Sequence, residues 1–389
     1  MARIGIDVRC LSKGRMTGVE EYTQQLLENL FQLDKENEYV LFFNSFKPAK
    51  ADFSWLEKYP NVKLKKFQFP NKLLNFCFWY FNFPKIDKLI GGADIVFLPN
   101  IIFGSVSGKA KLVATIHDLS FERFPETFSL KRRLWHGFIN PKKICRRAQK
   151  IIVVSESTKN DLLSLYEINP KKIEVIHSGI SNNFLPISRN DRQLIEVKER
   201  YNLPYKFILF LGTIEPRKNI TALIRAFDSL KNYATQKNDE NLSRFKLVIA
   251  GQSGWLRKKI DHEIEQAKYK KDIIVINFIP VADKPYLLNL VTLFIYPSIF
   301  EGFGFPPLEA MRCGVPVITS NNSSLPEVIG SGGIMVNFDK PDEIEKAMRQ
   351  ILENPELYDK IKATGLKKAG EFNWQNTARK FLDIIKNLA

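Results

Sequence analysis

Short apolar segments alternate with amphipathic segments along almost the whole chain, and this alternation restricts the fold more than any other feature. The apolar segments have the length of buried strands, and the stretches between them carry apolar residues at helical spacing. Because strands joined through helices form parallel sheets, the sequence predicts an α/β protein with two parallel sheets. The first predicted series of strands is 4–8, 39–43, 95–98, 112–116, 150–154 and 172–176, and the second is 207–211, 246–250, 273–278, 293–296, 315–318 and 333–336.

The length of 389 residues accommodates two domains of ordinary size. We expect domains at residues 1–185 and 205–373, because the polar stretch 186–204 between the two series has the composition of a linker. Asp7 interrupts the apolar stretch at the N-terminus, which favours a first strand over a signal peptide. No run approaches the roughly 20 apolar residues of a spanning helix. Four scattered cysteines without metal-ligand spacing are expected to be buried thiols in a reducing cytoplasm: Cys10, Cys77, Cys145 and Cys313.

Two glutamates, Glu301 and Glu309, bracket a glycine- and proline-rich turn in the segment SIFEGFGFPPLEAMR. The turn follows the apolar segment 293–297 and precedes a predicted helix at 308–313. It therefore lies at the carboxyl end of a strand, where open α/β sheets bind ligands and where a helix N-terminus favours a phosphate. Two fixed carboxylates beside such a site are suited to holding sugar hydroxyls. The alternative is a strand-to-helix turn with two solvated acids, in which Glu309 only complements the helix dipole.

This spacing resembles the Glu-x7-Glu signature of retaining glycosyltransferases of family four, which have the GT-B architecture. The resemblance implies two Rossmann-like domains that face each other across a cleft, with the acceptor side in the first domain and the nucleotide-sugar site in the second. It also implies a C-terminal helix, 374–389, that packs back on the first domain. Glu301 would contact the donor sugar and Glu309 the nucleotide ribose. The backbone of Gly302, Phe303, Gly304 and Phe305 would contact the sugar, and that around Pro307 and Leu308 the diphosphate.

A second group of candidate residues lies in FILFLGTIEPRKN, where Arg217 and Lys218 connect a buried strand to a helix. Cations at such a connection can neutralise a departing diphosphate without a metal. Lys218 matches the basic residue that the family carries in this loop. Many relatives have an Arg after the glycine where this chain has Thr213, so a second cationic contact would have to come from Arg217. The alternative for Arg217 is an ordinary solvated position.

In the first half, His117 and Asp118 follow the predicted strand 112–116. The resemblance implies that His117 stands against the donor sugar, near the bond that breaks. The alternative is a structural histidine that Asp118 orients. Gly18, before the first helix, matches a glycine whose backbone approaches the diphosphate in relatives. The remaining histidines show no such grouping and are expected to be structural: His136, His177 and His262.

The resemblance implies transfer of a sugar from a nucleoside diphosphate sugar to an acceptor hydroxyl, with the anomeric configuration retained. His117, Lys218 and Glu301 are the expected catalytic residues, and the diphosphate itself would accept the proton. No Asp-x-Asp pair stands at a predicted strand end, so we expect no required metal and no cofactor. The segment 278–290 is expected to contact the base, which its sequence does not identify.

Positive charge is concentrated in the first half of the chain. Residues 51–150 contain 18 Lys and Arg against 7 Asp and Glu, a surplus of 11 out of a net charge of +16. Aromatic residues with flanking lysines at 72–88 and a basic stretch at 131–150 account for much of it. A nucleic-acid surface, an anionic membrane surface and an ordinary solvated face all fit such a patch. No nucleic-acid-binding motif is present, and the membrane is favoured, with Phe78, Trp79 and Phe81 entering the interface.

The sequences of the motifs most resemble those of bacterial surface-polysaccharide enzymes, which are often mannosyltransferases that use GDP-mannose. We therefore expect a hexosyltransferase that acts on a glycan or lipid-linked acceptor, bound peripherally to the inner face of the cytoplasmic membrane. Two alternatives remain open. A nonhydrolysing nucleotide-sugar epimerase would have a similar architecture, and a basic nucleic-acid-binding protein would explain the charge without any sugar chemistry.

Overall fold

The computed structural model describes residues 1–14, 17–48 and 51–389, with the backbone alone at Lys13. Arg15 and Met16, in the predicted loop before Gly18, lie outside the described residues. The chain divides into two compact units. The first unit contains Met1–Arg123, Leu130–Gly179 and Asn373–Ala389, and the second contains Phe124–Ser129 and Ile180–Phe372.

The first unit is built on seven parallel strands in the order β3-β2-β1-β4-β5-β6-β7. Between β1 and β4 the strand order reverses, and ligands bind at such a point in open α/β sheets. The strands are β1 Arg3–Asp7, β2 Glu38–Asn44, β3 Val62–Phe67, β4 Ile95–Leu98, β5 Lys111–Ile116, β6 Lys150–Val153 and β7 Ile173–Val175.

Six parallel strands form the sheet of the second unit, in the order β10-β9-β8-β11-β12-β13. Here the order reverses between β8 and β11. Both sheets therefore confirm the expected Rossmann-like arrangement. The strands are β8 Phe207–Leu211, β9 Lys246–Ala250, β10 Ile273–Ile276, β11 Leu293–Tyr296, β12 Val317–Ser320 and β13 Ile334–Val336.

Helices lie between most consecutive strands of each unit, while β4 and β5 are joined by a loop without a helix. Those of the first unit are α1 Gly18–Leu33, α2 Asn71–Tyr80, α3 Ile86–Leu89, α4 Ser120–Arg123, α5 Leu130–Ile139, α6 Pro141–Arg147 and α7 Glu156–Tyr166. Those of the second unit are α8 Arg192–Arg200, α9 Ile220–Lys237, α10 Glu240–Ser243, α11 Lys258–Gln266, α12 Lys284–Leu290, α13 Phe305–Arg312, α14 Leu325–Ile329, α15 Pro341–Glu353 and α16 Pro355–Ala369. None of the helices in the described ranges is long and apolar enough to span a bilayer.

The last helix, α17 (Trp374–Leu388), belongs to the first unit and packs on α1, as expected. Its first turn is fixed because Thr377 Oγ1 donates to the carbonyl of His177 at 2.8 Å. Gly179 passes so close to this turn that a Cβ there would lie 2.2 Å from the Trp374 nitrogen. Glycine at position 179 therefore permits the return of the chain.

The structure differs from the sequence-based boundaries in several places. Residues 180–185, assigned to the first domain, belong to the second unit, and Asn373, assigned to the second domain, belongs to the first unit. The expected linker 186–204 contains helix α8, because Leu194 and Val197 are buried within the second unit while Ile195 and Glu196 between them are exposed. Phe124–Ser129, assigned to the first domain, belongs to the second unit. Within that unit Trp255 Nε1 donates to the Thr127 carbonyl at 2.6 Å.

Two further expectations on side chains need correction. Phe78 does not face solvent: it is 4% exposed and packs with Val40, Phe42 and Ile86 between α2 and the sheet. Of the four cysteines, Cys145 and Cys313 are buried but Cys10 and Cys77 are half-buried.

Candidate active site

Two loops at the carboxyl ends of β8 and β11 meet at the point where the strand order of the second unit reverses. The loop after β8 ends in a tight turn, Pro216–Lys218, and α9 follows. The loop after β11 runs from Pro297 to Gly304. The two loops are joined because Ile299 N donates to the Arg217 carbonyl at 2.8 Å, and Ser298 Oγ lies 3.1 Å from the same carbonyl. The two motifs predicted from sequence therefore form one site.

An ion network lies at the centre of this site. Lys218 Nζ donates to Glu301 Oε1 at 2.5 Å and to the Tyr296 hydroxyl at 2.8 Å. Arg217 lies 3.4 Å from Glu301 Oε2 and 3.1 Å from Glu215 Oε1. Lys218, Glu215 and Glu301 are 6%, 2% and 8% exposed. Two cations and two carboxylates thus compensate one another with little contact with water.

The electrostatics of the network keep Glu301 ionised. Burial alone would raise its pKa, but the charges of Lys218 and Arg217 and the hydrogen bonds from Lys218 and Ser298 outweigh this effect and lower the pKa from 4.5 to about 2. For Lys218, burial and the charge of Arg217 lower the pKa, while Glu301 and Glu215 act in the opposite direction. At neutral pH, Glu301 is therefore a hydrogen-bond acceptor and not a proton donor.

A third loop, after β12, fixes the backbone around Glu301. Ser323 Oγ accepts a hydrogen bond from Glu301 N at 2.8 Å, and Ser324 Oγ lies 2.9 Å from the carbonyls of Glu301 and Phe303. Gly304 has a φ of +106°, and a Cβ there would lie 2.8 Å from Leu325. The glycine-rich turn, including the buried Gly302, is therefore held in one conformation from both sides.

Helix α13 begins directly after this turn, with Gly304 at its N-cap and prolines in its first turn, as predicted. Pro307 has no amide hydrogen, and the Leu308 amide is directed to the Gly304 carbonyl at 3.4 Å. The diphosphate contact predicted around Pro307 and Leu308 would therefore rest on the dipole at the N-terminus of α13.

Glu309 lies within α13 and is 1% exposed. Neither carboxylate oxygen accepts a hydrogen bond from the part of the chain that the structure describes. Lys284 Nζ lies 3.7 Å from Oε1, which is beyond hydrogen-bond distance. Burial raises the pKa of Glu309, and the charge of Lys284 opposes this shift. An unsatisfied buried carboxylate is costly, which makes Glu309 a strong candidate for a ligand contact.

In the first unit, His117 follows β5 and is half-buried. Its Nε2 lies 2.8 Å from the Pro99 carbonyl, and its ring meets Tyr22 edge-on at 4.7 Å. Burial lowers the pKa of His117 below 6.5. Because a carbonyl oxygen only accepts, Nε2 carries the hydrogen and the neutral imidazole has its lone pair on Nδ1. Asp118 instead accepts from the amide and hydroxyl of Ser120, at 2.9 and 2.6 Å.

Gly18 is the first residue of α1 and is exposed. Its role at a diphosphate stays a prediction, as do the roles of the other site residues. No group of three or more His, Cys, Asp or Glu side chains is arranged to hold a metal ion within the described ranges. Metal independence likewise stays a prediction.

Sequence reasoning missed several side chains of the site. Tyr296 and Ser298 flank Pro297 at the end of a buried strand, where polar groups are unexpected, and this position could have singled them out. Lys284 lies within the segment 278–290 that we expected to contact the base. The others gave no local signal: Glu215, Ser323 and Ser324.

Two family models match this chain over separate ranges. Residues 191–368 match the family described as Glycosyl transferases group 1, and residues 16–184 match Glycosyltransferase Family 4. Together they cover most of both units.

Among curated proteins, O-antigen chain mannosyltransferase B of Escherichia coli is 31% identical over 279 residues, which is 72% of this chain and 71% of the relative. The serotype-specific mannosyltransferase WbdA of Escherichia coli is 33% identical over 270 residues, which is 69% of this chain but 32% of the relative. This chain thus matches only about a third of WbdA.

Among solved structures, sucrose-phosphate synthase from Thermosynechococcus elongatus matches with a TM-score of 0.76, over 100% of this chain and 99% of that one, at 17% identity. At this identity the likeness shows the fold, which is the GT-B fold expected from the sequence.

Proposed function

Because this chain belongs to the group 1 and family 4 glycosyltransferases, we propose that it transfers mannose from GDP-mannose to a glycan or lipid-linked acceptor in the synthesis of a cell-surface polysaccharide. The relatives that are 31% and 33% identical carry the name mannosyltransferase, and one is named for the O-antigen chain. These names support the sugar and the class of product.

The observation that carries this proposal is the buried Glu309 carboxylate, eight positions after the lysine-bound Glu301. Two neighbouring hydroxyls of a nucleotide ribose would supply the two donors that Glu309 lacks. Their binding would offset the cost of burying the carboxylate, so it favours a nucleotide over a ligand without a diol.

In the proposed transfer, the bond between the anomeric carbon and the diphosphate oxygen breaks. The acceptor oxygen forms its bond to the same carbon on the same face of the sugar, which retains the configuration. The acceptor proton passes to the departing diphosphate oxygen. Lys218, Arg217 and the dipole at the N-terminus of α13 stabilise the negative charge that develops on the diphosphate, so no metal is required.

Glu301 and His117 hold the sugar in this proposal. Because Glu301 is ionised, it accepts hydrogen bonds from sugar hydroxyls and orients the anomeric carbon. His117 is neutral at pH 7, and its Nδ1 lone pair accepts a further sugar hydroxyl. The backbone of Gly302, Phe303, Gly304 and Phe305 borders the sugar, and Gly18 approaches the diphosphate.

We also propose that the protein binds peripherally to the inner face of the cytoplasmic membrane, where a lipid-linked acceptor is found. Helix α5 has only one buried residue, Ile139, while α2 and the turn after it expose most of their aromatic side chains. Trp79 and Phe138 join the two helices, with ring centroids 5.2 Å apart. We call this surface the aromatic face; it consists of Leu73, Phe76, Trp79, Tyr80, Phe81, Phe83, Leu130, Leu134, Trp135 and Phe138.

Basic residues accompany the aromatic face along the chain, on α2, α5 and α6 and just before α3. Apolar rings beside cations are the arrangement of interfacial helices, in which the rings enter the boundary of the bilayer and the cations attract anionic head groups. These basic residues are Lys72, Lys85, Lys131, Arg132, Arg133, Lys142, Lys143, Arg146 and Arg147.

The test begins with a thermal-shift panel of nucleotides and nucleotide sugars, because at equal concentration a ligand that binds the folded protein more tightly raises its stability more. We expect GDP and GDP-mannose to give the largest shifts. Mannosyl transfer to a lipid-linked glycan acceptor would then be measured in the presence of EDTA, and NMR of the product would report the anomeric configuration. An inverted product or a strict requirement for a divalent ion would contradict the mechanism.

The same assays separate the alternatives. Conversion of the donor without any acceptor would identify an epimerase. Oligonucleotide binding that falls steeply with salt, together with no shift by any nucleotide sugar, would identify a nucleic-acid-binding protein.

A further inference from the structure

Three of the basic residues beside the aromatic face gather around one loop, which follows β4. Lys85 Nζ donates to Ser105 Oγ at 2.9 Å, and an Arg147 guanidinium nitrogen donates to the Ser107 carbonyl at 2.7 Å. These two partners are only two positions apart, so the two cations are held near each other. Lys143 lies one helical turn before Arg147 on α6.

The three cations are poorly neutralised. Burial, the charge of Arg147 and the charge of Lys143 all lower the pKa of Lys85. The carboxylate that opposes them is Asp87, which is 2% exposed and accepts a hydrogen bond from Ser107 N at 2.7 Å. Within the described residues, none of the three forms a salt bridge. Three cations thus face one carboxylate that already accepts a hydrogen bond. The surplus of positive charge would be neutralised by a bound anion.

Fixed contacts connect this cluster to the aromatic face. Ser105 Oγ, which holds Lys85, lies 2.6 Å from the Asn82 carbonyl and donates to it. Asn82 stands between Phe81 and Phe83, which are 62% and 65% exposed. The anchored cations and the exposed rings therefore share one turn of the chain, and a ligand that spans both needs an anionic group next to an apolar body.

Unused donors are present in the cluster. An ammonium group has three hydrogens and a guanidinium five. The described contacts use one hydrogen of Lys85 and one of Arg147, and Lys143 is exposed. Phosphate oxygens suit such donors because charge-assisted hydrogen bonds to phosphate are short and strong.

We infer that Lys85, Lys143 and Arg147 form a binding site for the phosphate group of an anionic phospholipid at the border of the aromatic face. This inference rests on the proposed membrane docking and makes it more specific. One lipid head group is held by anchored donors, and the remaining basic residues act only through their charge.

Two double variants with the same change in charge test the site: Lys85→Gln with Arg147→Gln, and, as the control on α5, Lys131→Gln with Arg133→Gln. Binding to phosphatidylcholine vesicles that contain phosphatidylglycerol is measured by sedimentation. Surface attraction of about 1 kcal/mol per cation corresponds to roughly fivefold per charge, and the control should lose that much at each position. The variant of the site should lose at least tenfold more. Equal losses would overturn the site and leave only diffuse attraction.

A variant with the same net charge as the wild type controls for loss of the fold. Ser105→Ala removes the anchor of Lys85 and keeps the net charge, so vesicle affinity should fall several-fold with an unchanged circular dichroism spectrum. Unaltered affinity would contradict an anchored site. Soluble dihexanoyl phosphatidylglycerol should compete with vesicles. Equal competition by inorganic phosphate would overturn the lipid assignment. The assignment would also be overturned if the variants of the site lost oligonucleotide binding but kept vesicle binding.

The thermal shift caused by GDP should be the same in all these variants. If GDP and GDP-mannose fail to stabilise the wild-type protein, the proposed transfer is wrong, while the vesicle comparison still decides the phosphate site.

Discussion

Lys218 Nζ lies 2.5 Å from Glu301 Oε1, and both residues are more than 90% buried. The cation assigned to the diphosphate and the carboxylate assigned to the sugar thus contact each other directly. A bound donor would place negative charge near Lys218 and hydroxyls near Glu301, so part of this ion pair must yield when the donor binds. The pair consequently contributes both to stability and to the positioning of the reacting groups.

We expect Glu301→Ala and Glu301→Gln to abolish measurable transfer but to differ in stability. The alanine variant leaves Lys218 and Arg217 buried with Glu215 as their nearby carboxylate, and breaking a buried ion pair costs about 3–5 kcal/mol. The glutamine variant keeps an acceptor oxygen and should lose less. Urea unfolding of both variants measures the difference. Equal stability of the two, or wild-type turnover in either, would contradict the role of the pair.

The pH dependence of Glu301 has a definite sign. Its pKa is lowered in the folded protein, so ionised Glu301 contributes stability above pH 4.5, and this contribution is lost as the pH falls toward about 2. In Glu301→Gln the loss of stability across this window should be smaller than in the wild type. Identical pH profiles would show that the carboxylate gains nothing from its cations.

Glu309→Gln should behave in the opposite way. The wild-type carboxylate is buried and accepts no hydrogen bond from any residue that the structure describes, so removing its charge should leave the melting temperature unchanged or raise it. Nucleotide binding should weaken by about 1.5–3 kcal/mol, the value of hydrogen bonds to a charged group. Calorimetric titration with GDP measures the affinity. A destabilised variant with normal GDP affinity would identify Glu309 as a purely structural residue.

Lys218→Met should slow transfer by about 100- to 1000-fold, because one electrostatic donor is lost as the diphosphate departs. Arg217 still lies 3.4 Å from Glu301, so the loss of stability should be smaller than in Glu301→Ala, about 1–3 kcal/mol. Lys380→Met, on an exposed position of α17, is the matched control.

Activity should survive EDTA. Restoration of a chelated enzyme by Mg²⁺ or Mn²⁺ would overturn the metal-free mechanism.

Much of the fold could be predicted because buried strands of a parallel sheet are nearly continuous apolar runs. The strand β3 was missed because it is not such an apolar run. It is an edge strand with the sequence VKLKKF, in which the exposed positions carry lysines that resemble a loop and the apolar residues are only half-buried. Helix α8 was taken as linker because only Leu194 and Val197 mark its buried side. Both elements are stabilised by neighbours in space that the local sequence does not show.

The site was predictable as far as its motifs reach and no further. Glu301, Glu309 and Lys218 stand out by spacing, but the Lys218–Tyr296 contact joins residues 78 positions apart. Such a contact depends on strand order and on side-chain direction at two strand ends. Phe78 is different, since Leu74 and Phe78 are four positions apart and both are buried. Helical spacing alone could have placed Phe78 in the core.

Protonation of His117 should destabilise the protein and slow transfer. Because burial lowers its pKa below 6.5, the wild type should lose stability as the pH falls below 6.5, where the unfolded chain binds the proton more readily. His117→Gln should remove that part of the slope and lower turnover at pH 7.5 without unfolding. His136, whose pKa is lowered to about 4, contributes in the same direction, so His136→Gln is the control. A collapsed melting temperature in His117→Gln would indicate a structural residue instead.

Charge reversal tests the electrostatic part of membrane docking. Changing Arg132, Arg133, Arg146 and Arg147 to Glu should release the protein from anionic vesicles and leave GDP affinity intact. Wild-type binding should itself fall with salt, because surface charges are screened within about 10 Å at 0.1 M. Equal sedimentation with neutral and anionic vesicles would contradict this electrostatic contribution.

The aromatic face makes a separate prediction, because rings that enter the bilayer boundary bind through buried apolar area and not through charge. Trp79→Ser with Phe138→Ser should weaken vesicle binding even at high salt, where charge reversal has little further effect. The matched control is Tyr205→Ser with Phe278→Ser, since these side chains of the second unit are 82% and 58% exposed but lie outside the aromatic face. In vesicles, Trp79 fluorescence should shift to shorter wavelength when the remaining tryptophans are replaced. If the two double variants bind vesicles equally well, the rings remain in water and docking is electrostatic alone.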